Sequence, residues 1–190
     1  MFRDVYWKRI DGTGGEHLRL IEDSSGVSAQ SVVVGVVDGS PVRVHYEIEL
    51  DRQYRVQRVD VTTPGRGPDS LTLRADGEGN WTDGRGEELP ALDGCIDVDV
   101  SATPFSNTLP IRRAGLERDE PTELSVVYVR VPELSVEVAT QRYTRLDPAD
   151  GDGGKYRYES VSSGFTAELT VDSDGLVVEY PGLFDRVPLP

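Results

Sequence analysis

Residues 92–113 read LDGCIDVDVSATPFSNTLPIRR. This stretch decides the fold because it sets up an alternating pattern and then breaks it. From Cys95 to Val100, Ile96, Val98 and Val100 fall on one side of an extended chain, and Cys95, Asp97 and Asp99 on the other. Two carboxylates at that spacing lie ~6.5–7 Å apart on one face of a strand. Thr103-Pro104 then gives a helix start, an N-cap residue followed by proline at the first helical position. Pro110 holds any such helix to one or two turns. The stretch therefore reads as a strand running into a short, proline-bounded helical turn.

Outward from it, nearly every segment repeats with period two between Gly, Pro or Asp turns. Toward the N-terminus these are Val5–Ile10, Glu16–Glu22, Val27–Val37 and the strand carrying Val44, Tyr46, Ile48 and Leu50. The run Val32-Val33-Val34 suggests burial on both faces, or a twist. Between Tyr54 and Thr63 the apolar phase slips from Tyr54/Val56 to Val59/Val61, which predicts a bulge between residues 56 and 59. Leu71/Leu73 and Trp81 mark two more strands. Beyond the central stretch come Leu124–Val131 and Leu134–Leu146, separated by Pro132, and then the Tyr156/Tyr158, Phe165–Val171 and Leu176–Tyr180 segments. The tail PGLFDRVPLP carries three prolines and is expected to end the sheet. No sustained helical period appears, so the class is all-β with around a dozen strands. A sheet of that size must curl, split or close to protect its edges.

The chain has 190 residues, compatible with one domain over residues 1–190. A chain this long can bury roughly 70% of its unfolded surface, so it needs neither disulfide nor metal to fold. Cys95 is its only cysteine. With no signal-peptide pattern and no run near the ~20 apolar residues of a membrane span, this points to a cytoplasmic protein that does not insert in a membrane. The net charge of −14 argues against nucleic acid and anionic membranes as partners. Eighteen arginines stand against two lysines, Lys8 and Lys155, which fits either a GC-rich genome or adaptation to high salt.

Several groups have chemistry to offer. Asp97 and Asp99 read as a polar spot in a cavity, as an acid/base pair, as half a metal site, or as a surface ion-paired with Arg112 and Arg113. Asn107 and Thr108 serve as turn residues or as ligand contacts. Cys95 reads as a small core residue; as a nucleophile it would need His17 or His45 brought in by the fold. Two histidines and one cysteine do not make a usual zinc site, and Asp147, Asp150 and Asp152 lack calcium-loop spacing. No catalytic motif and no cofactor signature is found. Trp81, Phe105, Tyr128, Tyr143, Phe165 and Tyr180 either fill a core or line a cavity with polar tips.

The segment GCIDVDVSATPFSNTLPIRR (94–113), with DGEGNW (76–81), VVYVRVPEL (126–134) and QRYT (141–144), resembles the “putative glycolipid-binding” family of bacteria and archaea. The resemblance runs from Trp7 to Arg186. It implies a strongly curled antiparallel sheet, a spiral β-roll similar in shape to half-barrel lipid carriers. It also implies a non-catalytic binding or carrier role for an amphiphile such as a glycolipid. Trp81, Asp97, Asp99, Asn107, Thr108, Arg112, Arg113 and Tyr143 would then gather around one site. Two alternatives remain: a structural or protein-interaction module, and an enzyme using Asp97 and Asp99 on a sugar-like substrate.

The high-salt reading carries a test. A dense carboxylate surface gains from screening of its self-repulsion. The melting temperature is therefore expected to rise between low and molar salt, and a flat melting curve series would count against halophilic adaptation.

Overall fold

The computed structural model describes residues 2–37, 39–65, 69–147 and 153–189. Seven strands come first: β1 (Phe2–Arg9), β2 (Gly15–Glu22), β3 (Val27–Val37), β4 (Ser40–Leu50), β5 (Val56–Thr62), β6 (Ser70–Ala75) and β7 (Trp81–Asp83). A 3-10 turn at Pro90–Leu92 leads to β8 (Asp97–Val100), a second 3-10 turn at Phe105–Asn107 and the one short helix, α1 (Thr108–Arg113). Then follow β9 (Thr122–Arg130), β10 (Ser135–Arg145), β11 (Gly154–Ser160), β12 (Phe165–Val171), β13 (Val177–Tyr180) and β14 (Phe184–Val187). The chain is all-β, as its alternation predicts.

Period-two patterning buries one face of each strand. In β4, Val42, Val44, Tyr46, Ile48 and Leu50 are buried, while Arg43, His45 and Glu49 are exposed. The bulge falls where the phase slip places it: Glu49 pairs Arg58 and Leu50 pairs Val56, leaving Gln57 as the extra residue. Both Val56 and Val59 are thereby turned inward. The valine run of β3 departs from two-sided burial. Val33 is 4% exposed, but Val32 and Val34 are 41% and 43% exposed on the outer face.

All fourteen strands belong to one sheet, in the order β7-β6-β5-β4-β3-β2-β1-β14-β13-β12-β11-β10-β9-β8. The tail does not end the sheet. Phe184–Val187 forms β14, which pairs with β13 on one side and with β1 on the other, so it joins the two halves. Its prolines were a misleading cue: Pro181 and Pro188 flank the four paired residues, so no ladder donor is lost. Every pairing is antiparallel except β8 with β9, which is parallel. A parallel neighbour needs a crossover of a dozen or more residues, and segment 101–121 supplies it.

The sheet is curled but not closed. Laid flat, thirteen strand spacings would separate β7 from β8 by roughly 60 Å. Instead the two ends touch. The Trp81 indole donates to the Cys95 carbonyl at 2.7 Å, and the Gly94 N–H donates to the Gly79 carbonyl at 2.9 Å. The crossover fills the inside of the curl. The Thr-Pro pair opens the first helical turn one residue later than expected: Pro104 is the N-cap residue, and Thr103 Oγ1 before it accepts from the Phe105 N–H at 3.0 Å. Pro110 sits in the first turn of α1, where its missing N–H costs nothing. Phe105 and Leu109 are fully buried in the same core as Trp7, Leu18, Ile48 and Leu176.

A buried polar clasp ties the crossover to the N-terminal strands. Glu16 Oε1 accepts from Ser31 at 2.8 Å, Tyr46 at 2.5 Å and Thr103 at 2.9 Å. Burial pushes the Glu16 carboxyl up to about 7 against these three bonds. Among the described residues, no helix is long and apolar enough to cross a membrane.

Trp81 is 1% exposed and holds the meeting point of the two sheet ends. Trp81→Ala is expected to cost ~3–5 kcal/mol in a denaturant titration. A loss under ~1 kcal/mol would show that the clamp contributes little.

Candidate functional site

Asp97 and Asp99 project from β8 two residues apart, and their surroundings divide their roles. Asp97 is fully buried, and Arg113 from α1 forks onto it: Nε donates to Oδ1 at 2.9 Å and Nη2 to Oδ2 at 2.6 Å. This planar bidentate pairing neutralises the carboxylate inside the fold. It raises the Arg113 guanidinium further above its ordinary value, with the Asp97 hydrogen bond as the main cause. Both oxygens of Asp97 are thus engaged.

Asp99 faces a cavity of about 420 Å³ on the inner side of the C-terminal half of the sheet. Gln141 of β10 donates to its Oδ2 at 2.5 Å. Behind Gln141 a polar chain continues. The Tyr143 hydroxyl lies 2.9 Å from Asn107 Oδ1 and 3.2 Å from Gln141 Oε1, and Asn107 Nδ2 donates to the Pro104 carbonyl at 3.3 Å. Burial pushes the Asp99 carboxyl up to about 6, against the hydrogen bonds of Gln141 and Ser106. The phenols of Tyr128, Tyr143 and Tyr158 are held above the ordinary tyrosine range, first by burial and then by the Asp99 charge. At neutral pH they remain protonated.

The opposite wall is aromatic. Tyr158 lies 5.3 Å from Tyr143, 6.2 Å from Phe165 and 6.3 Å from Tyr180 between ring centroids. Tyr180 in turn lies 6.5 Å from Phe184. Phe165, 40% exposed, stands at the mouth. The one arginine on the wall, Arg130, is 3.4 Å from Glu137 and lies over the Tyr128 ring at 5.4 Å. A second hollow of about 560 Å³, between the β3–β4 hairpin and the turn at Thr63–Gly65, is lined mainly by valines and prolines, with Arg43 its one charge among the described residues. It gathers no comparable set of polar groups and rings.

Of the eight residues singled out in the sequence, Asp99 and Asn107 line the cavity, and Tyr143 backs it through its hydroxyl. Asp97 and Arg113 bind each other. Arg112 lies over the Tyr54 ring at 4.5 Å and donates to the Asp174 carbonyl, away from Asp99. Thr108 is buried, and Trp81 sits in the sheet-end clamp. Tyr128, Phe165 and Tyr180 do line the cavity, whereas Phe105 is core. Sequence reasoning missed Gln141, Tyr158 and Phe184. The first two share the inward phase of β10 and β11, a legible signal; Phe184 was hidden by the prolines around it.

Cys95 is fully buried, whereas His17 and His45 line a shallow groove on the outer face of β2–β5. Among the described residues no group of three His, Cys, Asp or Glu is placed to hold a metal. Asp147 accepts from the Lys155 N–H; Asp150 and Asp152 lie outside the described residues.

The environment of Asp99 has a stability consequence. Its carboxyl rises from 3.8 to about 6 on folding, so the folded state binds the proton more tightly. The stability gained this way is complete below about pH 4 and is lost as pH climbs through about 6. Asp99→Asn, neutral throughout, is therefore expected to gain on wild type as pH rises, by up to roughly 2–3 kcal/mol near pH 8. Paired unfolding titrations across that range check it; a constant difference between the two proteins would contradict the assignment.

No curated protein matches the sequence at a significant level. Among solved structures, the crystal structure of a DUF1089 family protein from Pseudomonas aeruginosa superposes with a TM-score of 0.78 at 37% sequence identity, covering 90% of this chain and 92% of that one. A family model described as “Putative glycolipid-binding” matches residues 4–186, nearly the whole curled sheet and its inner crossover. With its fold, its central segment and its solved relative in agreement, this chain belongs to that family.

Proposed function

We propose that this chain is a non-catalytic binding or carrier protein for an amphiphile with a sugar-like head, held in the Asp99 cavity. One observation carries this reading. On the inner face of the sheet, one hollow brings a carboxylate and carboxamides against a wall of aromatic rings. A sugar presents hydroxyls around its rim and C–H groups on its faces, so it needs polar acceptors and donors beside flat apolar surfaces. Asp99, Gln141 and Asn107 are the polar partners; Tyr158, Phe165 and Tyr180 are the surfaces. The volume of about 420 Å³ lies within the ~300–1,000 Å³ of ordinary ligand pockets. The family description supports the same class of ligand.

The rest of the concavity supports a site at the cavity and its mouth. Phe105, Leu109 and the core around them fill the interior of the curl, which supports an acyl chain running along Phe165, Leu183 and Phe184 at the mouth. The engagement of Asp97 with Arg113 leaves only Asp99 of the β8 pair facing the cavity, which favours binding over acid/base work by the pair.

Calorimetric titration with octyl glucoside below its micelle-forming concentration is expected to show saturable binding. Phe165→Ala, at the mouth, is expected to weaken it roughly threefold to tenfold with little change in melting temperature. Absence of saturable binding, together with no lipid co-purifying with the protein in native mass spectrometry, would overturn the reading.

A further inference from the structure

The two aspartates of β8 receive opposite treatment, and the difference describes the ligand. Asp97 has a guanidinium on both oxygens. Asp99, two residues on, has an amide and a hydroxyl, Gln141 and Ser106, and no ion-pair partner among the described residues. A carboxylate withdrawn from water without a counter-charge is costly, and neutral donors recover part of that cost only. The cavity's own arginine does not supply the charge, since Arg130 is turned to Glu137 and the Tyr128 ring. Much of the remaining wall is aromatic, and the electron-rich faces of such rings attract cations.

We infer that the head group bound in this cavity carries a primary ammonium, as in an amino sugar, seated between the Asp99 carboxylate and the rings of Tyr158 and Tyr180. This rests on the binding reading above and adds the charge of the ligand to it. Its ammonium would complete at Asp99 what Arg113 completes at Asp97. A phosphate or sulfate head is disfavoured by the same wall, where Asp99 and Glu137 outnumber Arg130. The −14 charge of the chain also draws cations and repels anions. A neutral sugar could share the hydrogen bonds but would leave the carboxylate uncompensated.

The test compares octyl glucosaminide, octyl glucoside and free glucosamine by calorimetry at about pH 7, on wild type and on Asp99→Asn. The groups facing Asp99 are Tyr128 and Arg130 from β9, Glu137, Gln141 and Tyr143 from β10, Tyr158 from β11 and Tyr180 from β13. Of these Arg130 and Glu137 pair with each other. The glucosaminide is expected to bind about tenfold more tightly than the glucoside to wild type. In Asp99→Asn that preference is expected to shrink to within about twofold. It is also expected to shrink in wild type at about pH 5, where the Asp99 carboxyl takes up its proton. Near-ultraviolet circular dichroism of the variant confirms that its aromatic wall is intact. Equal binding of the two glycosides to wild type, or a preference that survives in Asp99→Asn, overturns the ammonium inference while leaving the amphiphile reading standing. Failure of all three ligands to bind removes both. Free glucosamine binding as tightly as its octyl glycoside keeps the ammonium and removes the amphiphile.

Discussion

A fourteen-stranded sheet has two raw edges and one concave face, and a single stretch of chain attends to all three. The 79–95 loop brings β7 and β8 together through the Trp81 indole and the Gly79–Gly94 bond. The 101–121 crossover then occupies the hollow that the curl creates. Without the clamp the edges would be open to pairing with other chains. Without the crossover the inner apolar faces of many strands would face water. Arg113 joins these two jobs, because its grip on Asp97 fixes α1 to the last strand of the sheet. The curl, the core and the cavity all follow from that arrangement.

The cavity survives because the crossover fills the curl unevenly. Phe105 and Leu109 point into the core, while Asn107 and Thr103 form one side of the hollow that Asp99 faces. Thr103 also belongs to the Glu16 clasp, so a polar network in the N-terminal half holds a wall of a site in the C-terminal half. The buried carboxyl of Glu16 and the half-buried one of Asp99 thus sit on either side of the same segment, each held by neutral donors.

Local pattern made much of this fold legible. Val27–Val37 is a strand with the bounds its alternation suggests, and the slip between Val56 and Val59 marks a real bulge. What local pattern could not carry was partnership. Nothing in DVDV announces a parallel neighbour, and nothing in FDRV says that it bridges two halves of a sheet. The site followed the same division. Spacing placed Asp97 and Asp99 on one strand, but which of them is neutralised depends on where α1 delivers Arg113. The aromatic wall was partly visible in Tyr128, Phe165 and Tyr180, and Tyr158 could have been added from the phase of β11. Resemblance supplied the family; it could not rank the eight candidates, six of which the structure distributes between a cavity, an ion pair and a clamp, with Arg112 against Tyr54 and Thr108 buried elsewhere.

The pairing of β1 with β14 sets a schedule for assembly. Trp7 and Arg186 are cross-strand neighbours although nearly the whole chain lies between them. Closing so long a loop costs roughly 4–5 kcal/mol of chain entropy before that contact repays anything. Topologies dominated by such distant contacts fold slowly. On the ribosome, the β1–β7 meander can form while its β1 edge still waits for β14, which is translated only after β8–β13. During that interval the open edge is the part of the nascent chain most in need of shielding from its neighbours.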